Sequence, residues 1–181
     1  MHSFRRAKLF YVALAVCGGG NQSYASTSGS SLTVLSLPNS AVVEIQEDKF
    51  VKTKAIVEGC LKTSHCLINS YLVFGCAFGL PSTFISAMNI IYKKRKVSID
   101  VRGMFDAWGS RPLQFSKGGR YFGGSCLGDS CRYRGLFSDG EGTFVAEWVV
   151  AGNKSFRTII SDDPAVIRTL SRNIDGDISL P

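Results

Sequence analysis

The feature that most constrains this chain is an uncharged stretch, residues 67–92, that ends at a block of four basic side chains, residues 93–96. An uncharged run of roughly 26 residues is long enough to cross a bilayer as a helix. The basic block would then act as the cytoplasmic stop signal of that helix. The same run also suits strands at the centre of a β-sheet, so its interpretation decides the fold class.

Two strands, residues 71–78 and 83–93, are the favoured interpretation of this stretch. Gly79 and Pro81 stand between them and supply the chemistry of a turn, whereas Pro in a helix interior removes a hydrogen bond and kinks the chain. Polar side chains such as Asn69 are costly in lipid. The sequence therefore predicts buried strands, and a membrane span remains the alternative.

The N-terminus, residues 1–25, has the organisation of a secretory signal peptide. A short basic region precedes an apolar segment, and small residues end at Ala25, where we expect cleavage. Cys17 offers lipid anchoring as a second possibility, because the residues before it resemble a lipoprotein signal. Val16 stands where that signal requires a small residue, so simple cleavage and a periplasmic or secreted location are favoured.

Five cysteines follow the expected cleavage point, and four of them form two pairs that are close in sequence. Cys60 and Cys66 are predicted to form one disulfide, and Cys126 and Cys131 a second, because an exported chain meets an oxidising compartment. The spacings are wider than those of a zinc knuckle, so no metal site is expected. Cys76 lies among apolar residues and is expected to be a buried thiol.

Beyond the signal peptide, residues 26–40 are rich in Ser, Thr and Gly and are predicted to be a flexible linker. Residues 41–181 are then predicted to form a single globular domain, since this length can close one core. Val- and Ile-rich runs at residues 41–46 and 50–58 indicate half-exposed strands, and alternating apolar residues predict another at residues 97–102.

The C-terminal third predicts three successive strands, residues 132–138, 143–150 and 155–161, joined by Gly-containing turns. Asp163 is a suitable N-cap and Pro164 a suitable first residue for a helix. The apolar face of this helix is formed by Val166, Ile167, Leu170 and Ile174. The predicted fold class is therefore α+β, an antiparallel β-meander sheet covered by a C-terminal helix and preceded by a signal peptide.

Catalytic chemistry has little support in the sequence. His65 is the only histidine that remains after the expected cleavage, and no nucleophile motif accompanies it. Asp139 and Glu141 are the paired carboxylates on which a hydrolase could be built, although hairpin turns explain them better. We therefore expect a protein that is not an enzyme and has no cofactor.

A binding surface is predicted where basic and aromatic residues alternate, in residues 93–134. Cations and flat rings together suit anionic or protein partners. The candidate contact residues are Trp108, Arg111, Arg120 and Tyr121. The expected partner is another envelope or secreted protein or an anionic glycan; nucleic acid is not expected, and membrane contact is possible but not favoured.

The function that these observations favour is that of a small exported interaction protein, such as an inhibitor or accessory of a cell-envelope protein. A membrane-anchored envelope protein with a span at residues 67–92 is the first alternative. A carboxylate-dependent hydrolase is the second. The sequence carries no motif that identifies a family.

Overall fold

The structure, a computed structural model, describes residues 30–37, 40–60, 66–76, 79–108, 121–137 and 142–174. In these residues the chain forms eleven strands and one α-helix. In chain order they are β1 (Ser30–Ser36), β2 (Val42–Lys49), β3 (Val57–Glu58), β4 (Leu67–Ile68), β5 (Tyr71–Leu72), β6 (Thr83–Tyr92), β7 (Arg95–Ser98), β8 (Phe122–Leu127), β9 (Ser130–Phe137), β10 (Phe144–Ala151), β11 (Lys154–Ser161) and α1 (Pro164–Ser171).

The strands form three antiparallel sheets. The first has the order β1-β2-β6-β7, and the second is a meander with the order β11-β10-β9-β8. The small third sheet, β3-β4-β5, lies in sequence between β2 and β6 of the first sheet. The prediction of antiparallel β-structure with a C-terminal helix is confirmed, but the strands divide among three sheets and do not form one meander.

A single hydrophobic core joins the two four-stranded sheets. The second sheet contributes large aromatic side chains, including Trp148 and Phe137, and the first contributes aliphatic ones, including Met88 and Ile90. Phe137 stacks on Phe144 with ring centroids 5.0 Å apart. Because burying one such side chain contributes about 1.5–3 kcal/mol, this core is the main source of stability.

The helix α1 begins as the sequence predicts. The Asp163 carboxylate accepts hydrogen bonds from the backbone N–H groups of Ala165, at 2.7 Å, and Val166, at 3.2 Å, and Pro164 is the first helical residue. Leu170 and Ile174 of its predicted apolar face are buried. The helix packs against β9 and β10, so it covers the second sheet as expected.

The second half of the uncharged stretch is a strand, but the described residues of the first half do not form the other strand of the predicted hairpin. Thr83–Tyr92 is β6, which pairs with β2 on one side and β7 on the other. Within residues 71–78, only Tyr71–Leu72 is a strand among the described positions. Every residue of β6 is buried or half-buried, because the strand is paired along both edges inside the first sheet.

No helix within the described residues is long and apolar enough to cross a membrane. The basic block that follows the stretch has a different role from a stop signal. Lys93 and Lys94 form the tight turn between β6 and β7, both with positive φ, and Arg95 and Lys96 begin the next strand.

Two further expectations are corrected by the strand assignments. Residues 30–36, which were expected to belong to a linker, form β1, because Thr33 and Leu35 of this Ser-rich segment point into the molecule and are buried. Residues 50–58, expected to be a strand, form a 3-10 turn at Lys52–Lys54 and the two-residue β3. The chain leaves the first sheet at Phe50, whose N–H donates to the carbonyl of Ser82 at 2.8 Å.

The two predicted disulfides are confirmed. Cys126 and Cys131 face each other across the β8–β9 hairpin, and Cys60 is bridged to Cys66 beside the small sheet. Disulfides of this kind fit an extracellular or periplasmic protein. Cys76 is half-buried, and its thiol donates to the carbonyl of Gly79 at 3.5 Å.

Candidate binding surface

The small sheet is held together by a tight turn and a disulfide. Asn69 and Ser70 join β4 to β5 with φ of 51° and 66°, as a two-residue hairpin turn requires. The Asn69 side chain also accepts the N–H of Ile56 at 3.0 Å, which ties the residues before β3 to this turn. The Cys60–Cys66 bridge closes the connection between β3 and β4. A sheet of only two-residue strands is therefore supported by local cross-links.

Residues 101–106 attach this small sheet to the rest of the molecule. The N–H of Phe74 donates to the carbonyl of Gly103 at 2.8 Å, and the N–H of Phe105 donates to the carbonyl of Phe74 at 2.9 Å. On the other side, the N–H of Ile85 donates to the carbonyl of Met104 at 3.0 Å. The segment thus bridges the small sheet and β6 by backbone hydrogen bonds.

A cleft of about 350 Å³ opens between the small sheet and the end of β2. Phe50, Phe84 and Phe105 contribute its aromatic lining, with Phe50 and Phe105 in edge-to-face contact at 6.0 Å between ring centroids. Lys49 and Lys54 line the same cleft. We call this space the lysine cleft.

A second cleft, of about 250 Å³, adjoins the lysine cleft and is called the arginine cleft. The two share four lining residues, Ile68, Asn69, Phe84 and Phe105. Tyr71 and Arg102 line the far side of the arginine cleft. The two clefts therefore form one largely apolar groove. Lys49 and Lys54 lie towards one end of it and Arg102 towards the other.

Arg102 is fixed in place by a carboxylate and an aromatic ring. Its guanidinium donates to both carboxylate oxygens of Asp100, at 2.8 and 2.9 Å, and to the hydroxyl of Tyr71 at 3.2 Å. Arg157 approaches the same carboxylate at 3.6 Å and donates to the carbonyl of Arg102 at 2.5 Å. These hydrogen bonds from Arg102 hold the pKa of Asp100 below its ordinary value.

Asp100→Asn is expected to lower the free energy of unfolding at pH 7 by up to about 1 kcal/mol, since the group is partly solvated. A carboxyl group whose pKa is lower in the folded state stabilises the fold above its unfolded pKa, and this contribution is lost as the pH falls through the folded pKa. The difference between wild type and Asp100→Asn should therefore shrink between about pH 5 and pH 2 in urea titrations. Asp129→Asn, which removes the more exposed Arg95–Asp129 pair, is the control; a constant difference for Asp100→Asn at every pH would contradict the assignment.

Exposed apolar side chains are concentrated in residues 50–82, the segment that contains the small sheet and part of the groove lining. Eight large apolar side chains are exposed among the described residues, and five of these belong to the segment that contains the small sheet. They are Val51, Ile56, Tyr71, Leu72 and Leu80. Ile56 is the most exposed of the five, at 68%. Val51 and Tyr71 line the clefts, and the backbone of Ile56 is hydrogen-bonded to Asn69 of the lining, so these three residues form an exposed apolar rim. Exposed apolar residues beside a groove are typical of surfaces that bind another molecule.

A polar cluster at the start of β6 holds the segment that leads from the groove to Trp108. The Asp106 carboxylate accepts the N–H groups of Ser82 and Thr83, both at 2.8 Å. The hydroxyl of Thr83 donates to the buried carboxylate of Glu47, which also accepts the N–H of Trp108 at 3.3 Å. The cluster therefore fixes both ends of residues 105–108.

The predicted contact residues are placed only in part. Trp108 is half-buried, with its ring 5.3 Å from that of Phe137, and its indole N–H has no hydrogen-bond partner among the described residues. Tyr121 is half-buried and directly precedes β8. Arg111 and Arg120 lie outside the described residues, as do His65, Asp139 and Glu141. A binding role for the four predicted residues remains a prediction.

Sequence reasoning did not find the groove. Its lining comes from residues far apart in the chain, and they meet because Phe74 pairs with Met104 and Phe84 with Phe105. The sequence signal that could have indicated this contact is the pair of glycines, Gly75 and Gly103. Both have positive φ and lie where the backbone of another segment approaches closely.

Comparison of the chain with models of known protein families, with curated protein sequences and with solved structures gives no match.

Proposed function

We propose that this chain is an exported, non-enzymatic binding protein whose partner docks on the groove and the small sheet. The observation that carries the proposal is the combination of an aromatic groove with a rim of exposed apolar side chains. Specific interfaces are built from such apolar centres surrounded by polar groups. Residues 1–25 would direct export, and the two disulfides are consistent with that destination.

The expected partner is another envelope or secreted protein. A protein surface suits the groove because its rim extends beyond the clefts to Ile56, whose side chain a small ligand in the clefts would leave in water. The three-residue turn at Lys52–Lys54 adds positive charge beside the rim. Charged groups at the edge of an interface guide association and select partners.

The test is retention of a partner from the exported fraction of the producing cell on immobilised protein. Ile56→Asp places a charge on the rim, and Leu127→Asp places the same charge on the β8–β9 hairpin at a residue that is 74% exposed. Both changes are at the surface, so the fold should persist, and circular dichroism checks this. We expect Ile56→Asp to lose the partner and Leu127→Asp to keep it. Equal retention by the two variants would rule out the groove as the docking surface.

A further inference from the structure

The lysine cleft has a lining that suits one large apolar side chain. Its three phenylalanines surround a space of about 350 Å³, within the range of pockets that enclose ligands. Phe105 is nearly buried, at 7% exposure, and its contact with Phe50 holds both rings in place. An aromatic side chain that enters such a pre-formed space gains contact area at a small cost in conformational entropy.

The charge at this cleft is positive. Lys49 and Lys54 are exposed, and neither forms an ion pair with a residue in the described part of the chain. Asp48 is the acidic residue among the lining residues, and its carboxylate already accepts a hydrogen bond from the Gln46 amide at 3.3 Å. A ligand with carboxylates next to its apolar group would therefore complement this surface.

Resting on the proposed function, we infer that the lysine cleft binds a peptide segment of the partner in which a large aromatic side chain is flanked by acidic residues. The aromatic side chain lies against Phe50, Phe84 and Phe105, and the flanking carboxylates pair with Lys49 and Lys54. A peptide is favoured over a free small molecule because the lining includes the exposed Val51, and Ile56, hydrogen-bonded to Asn69 of the lining, extends the apolar surface beyond the cleft. An extended chain can contact both.

The test uses three short fluorescent peptides of equal length. The first has a central tryptophan flanked by aspartate and glutamate, the second has the same tryptophan flanked by lysine, and the third is the acidic peptide with alanine in place of tryptophan. We expect the first to bind the full-length mature protein at least about tenfold more tightly than either of the others, as measured by fluorescence anisotropy at low salt. Its affinity should fall as salt is added, because exposed ion pairs are screened.

Two double variants test the lysines. Lys49→Glu/Lys54→Glu should weaken binding of the acidic tryptophan peptide about tenfold, since two attractive pairs become repulsive. Lys94→Glu/Lys154→Glu makes the same change of charge at two exposed positions, in the β6–β7 turn and at the start of β11, and should leave the affinity unchanged. Equal loss in both double variants would show a general effect of net charge and would overturn the inference.

The remaining outcomes separate this inference from the proposed function. Equal binding of the tryptophan and alanine peptides, or of the acidic and basic ones, would overturn the inference even if Ile56→Asp abolishes partner retention. The proposed function would then stand with a different ligand segment. Conversely, tight and lysine-dependent peptide binding together with partner retention that Ile56→Asp does not affect would support the cleft and contradict the proposed docking surface.

Discussion

Gly75→Ala is expected to lower the free energy of unfolding by about 3 kcal/mol or more, although it adds a single methyl group. Gly75 has φ of +102°, a conformation that an L-residue adopts only with strain. A Cβ there would also overlap the carbonyl group of Phe105 and approach the ring of Phe144 to 3.0 Å. The segment that follows the small sheet and residues 101–106 would therefore have to move apart.

Gly79→Ala is the matched control for this prediction. Gly79 also has a positive φ, +82°, but nothing lies within 4 Å of the position that its Cβ would occupy. The expected loss is therefore only the conformational penalty, about 1 kcal/mol. Urea unfolding of both variants at equal protein concentration measures the difference. If the two losses are the same, the close approach of Gly75 to Phe105 contributes nothing to stability.

The consequence for function follows from the position of Phe105. This residue lines both clefts. It is held in position by the hydrogen bond from its N–H to the carbonyl of Phe74, which the backbone conformation of Gly75 allows. The groove thus depends on backbone packing at a glycine that does not itself line the lysine cleft or the arginine cleft.

The parts of the fold that the sequence predicted are those with local causes. The cap at Asp163 and the proline that follows it act within one helical turn. In the second sheet, β9 alternates between buried and half-buried residues, and β10 pairs with its sequence neighbours β9 and β11. The two disulfides join cysteines separated by six and five positions. Each of these features can be recognised without knowing what else the chain contacts.

The parts that were missed depend on partners distant in sequence. Residues 50–58 have the composition of a strand, but β2 is already paired with β1 and β6, so the chain that follows it turns away and leaves Ile56 exposed. The groove likewise requires Phe84 to meet Phe105. The partial burial of Trp108, whose ring lies 5.3 Å from that of Phe137, also depends on a residue distant in sequence. Burial depends on tertiary packing, which composition alone does not specify.

A buried ion-pair cluster on the second sheet leads to the other large effect. Glu147 of β10 is 5% exposed, and its carboxylate accepts hydrogen bonds from Arg134 at 2.6 Å and from the hydroxyl of Thr158 at 2.9 Å. Thr158 reaches it because the register of β10 and β11 shifts after Glu147, which leaves one extra residue on β11. Arg132 is more distant, at 4.0 Å, and its Nε has no hydrogen-bond partner among the described residues. Arg134 is therefore the main charged partner of the Glu147 carboxylate among the described residues.

Arg134→Met is expected to cost about 3 kcal/mol, because it leaves the Glu147 carboxylate buried without its closest cation. Lys96→Met is the control, because it removes an ion pair of similar length, Lys96–Glu44 at 2.7 Å, in which Lys96 is 56% exposed. It should lower the free energy of unfolding by less than about 1 kcal/mol. The double variant Arg134→Met/Glu147→Met should be more stable than Arg134→Met alone, because the buried carboxylate that has lost its closest cation is also removed. Urea unfolding of wild type, Arg134→Met, Glu147→Met and the double variant measures the coupling, with Lys96→Met as the exposed control. Additive losses in the double variant would mean that the two side chains act independently and that the buried charge is solvated by other groups.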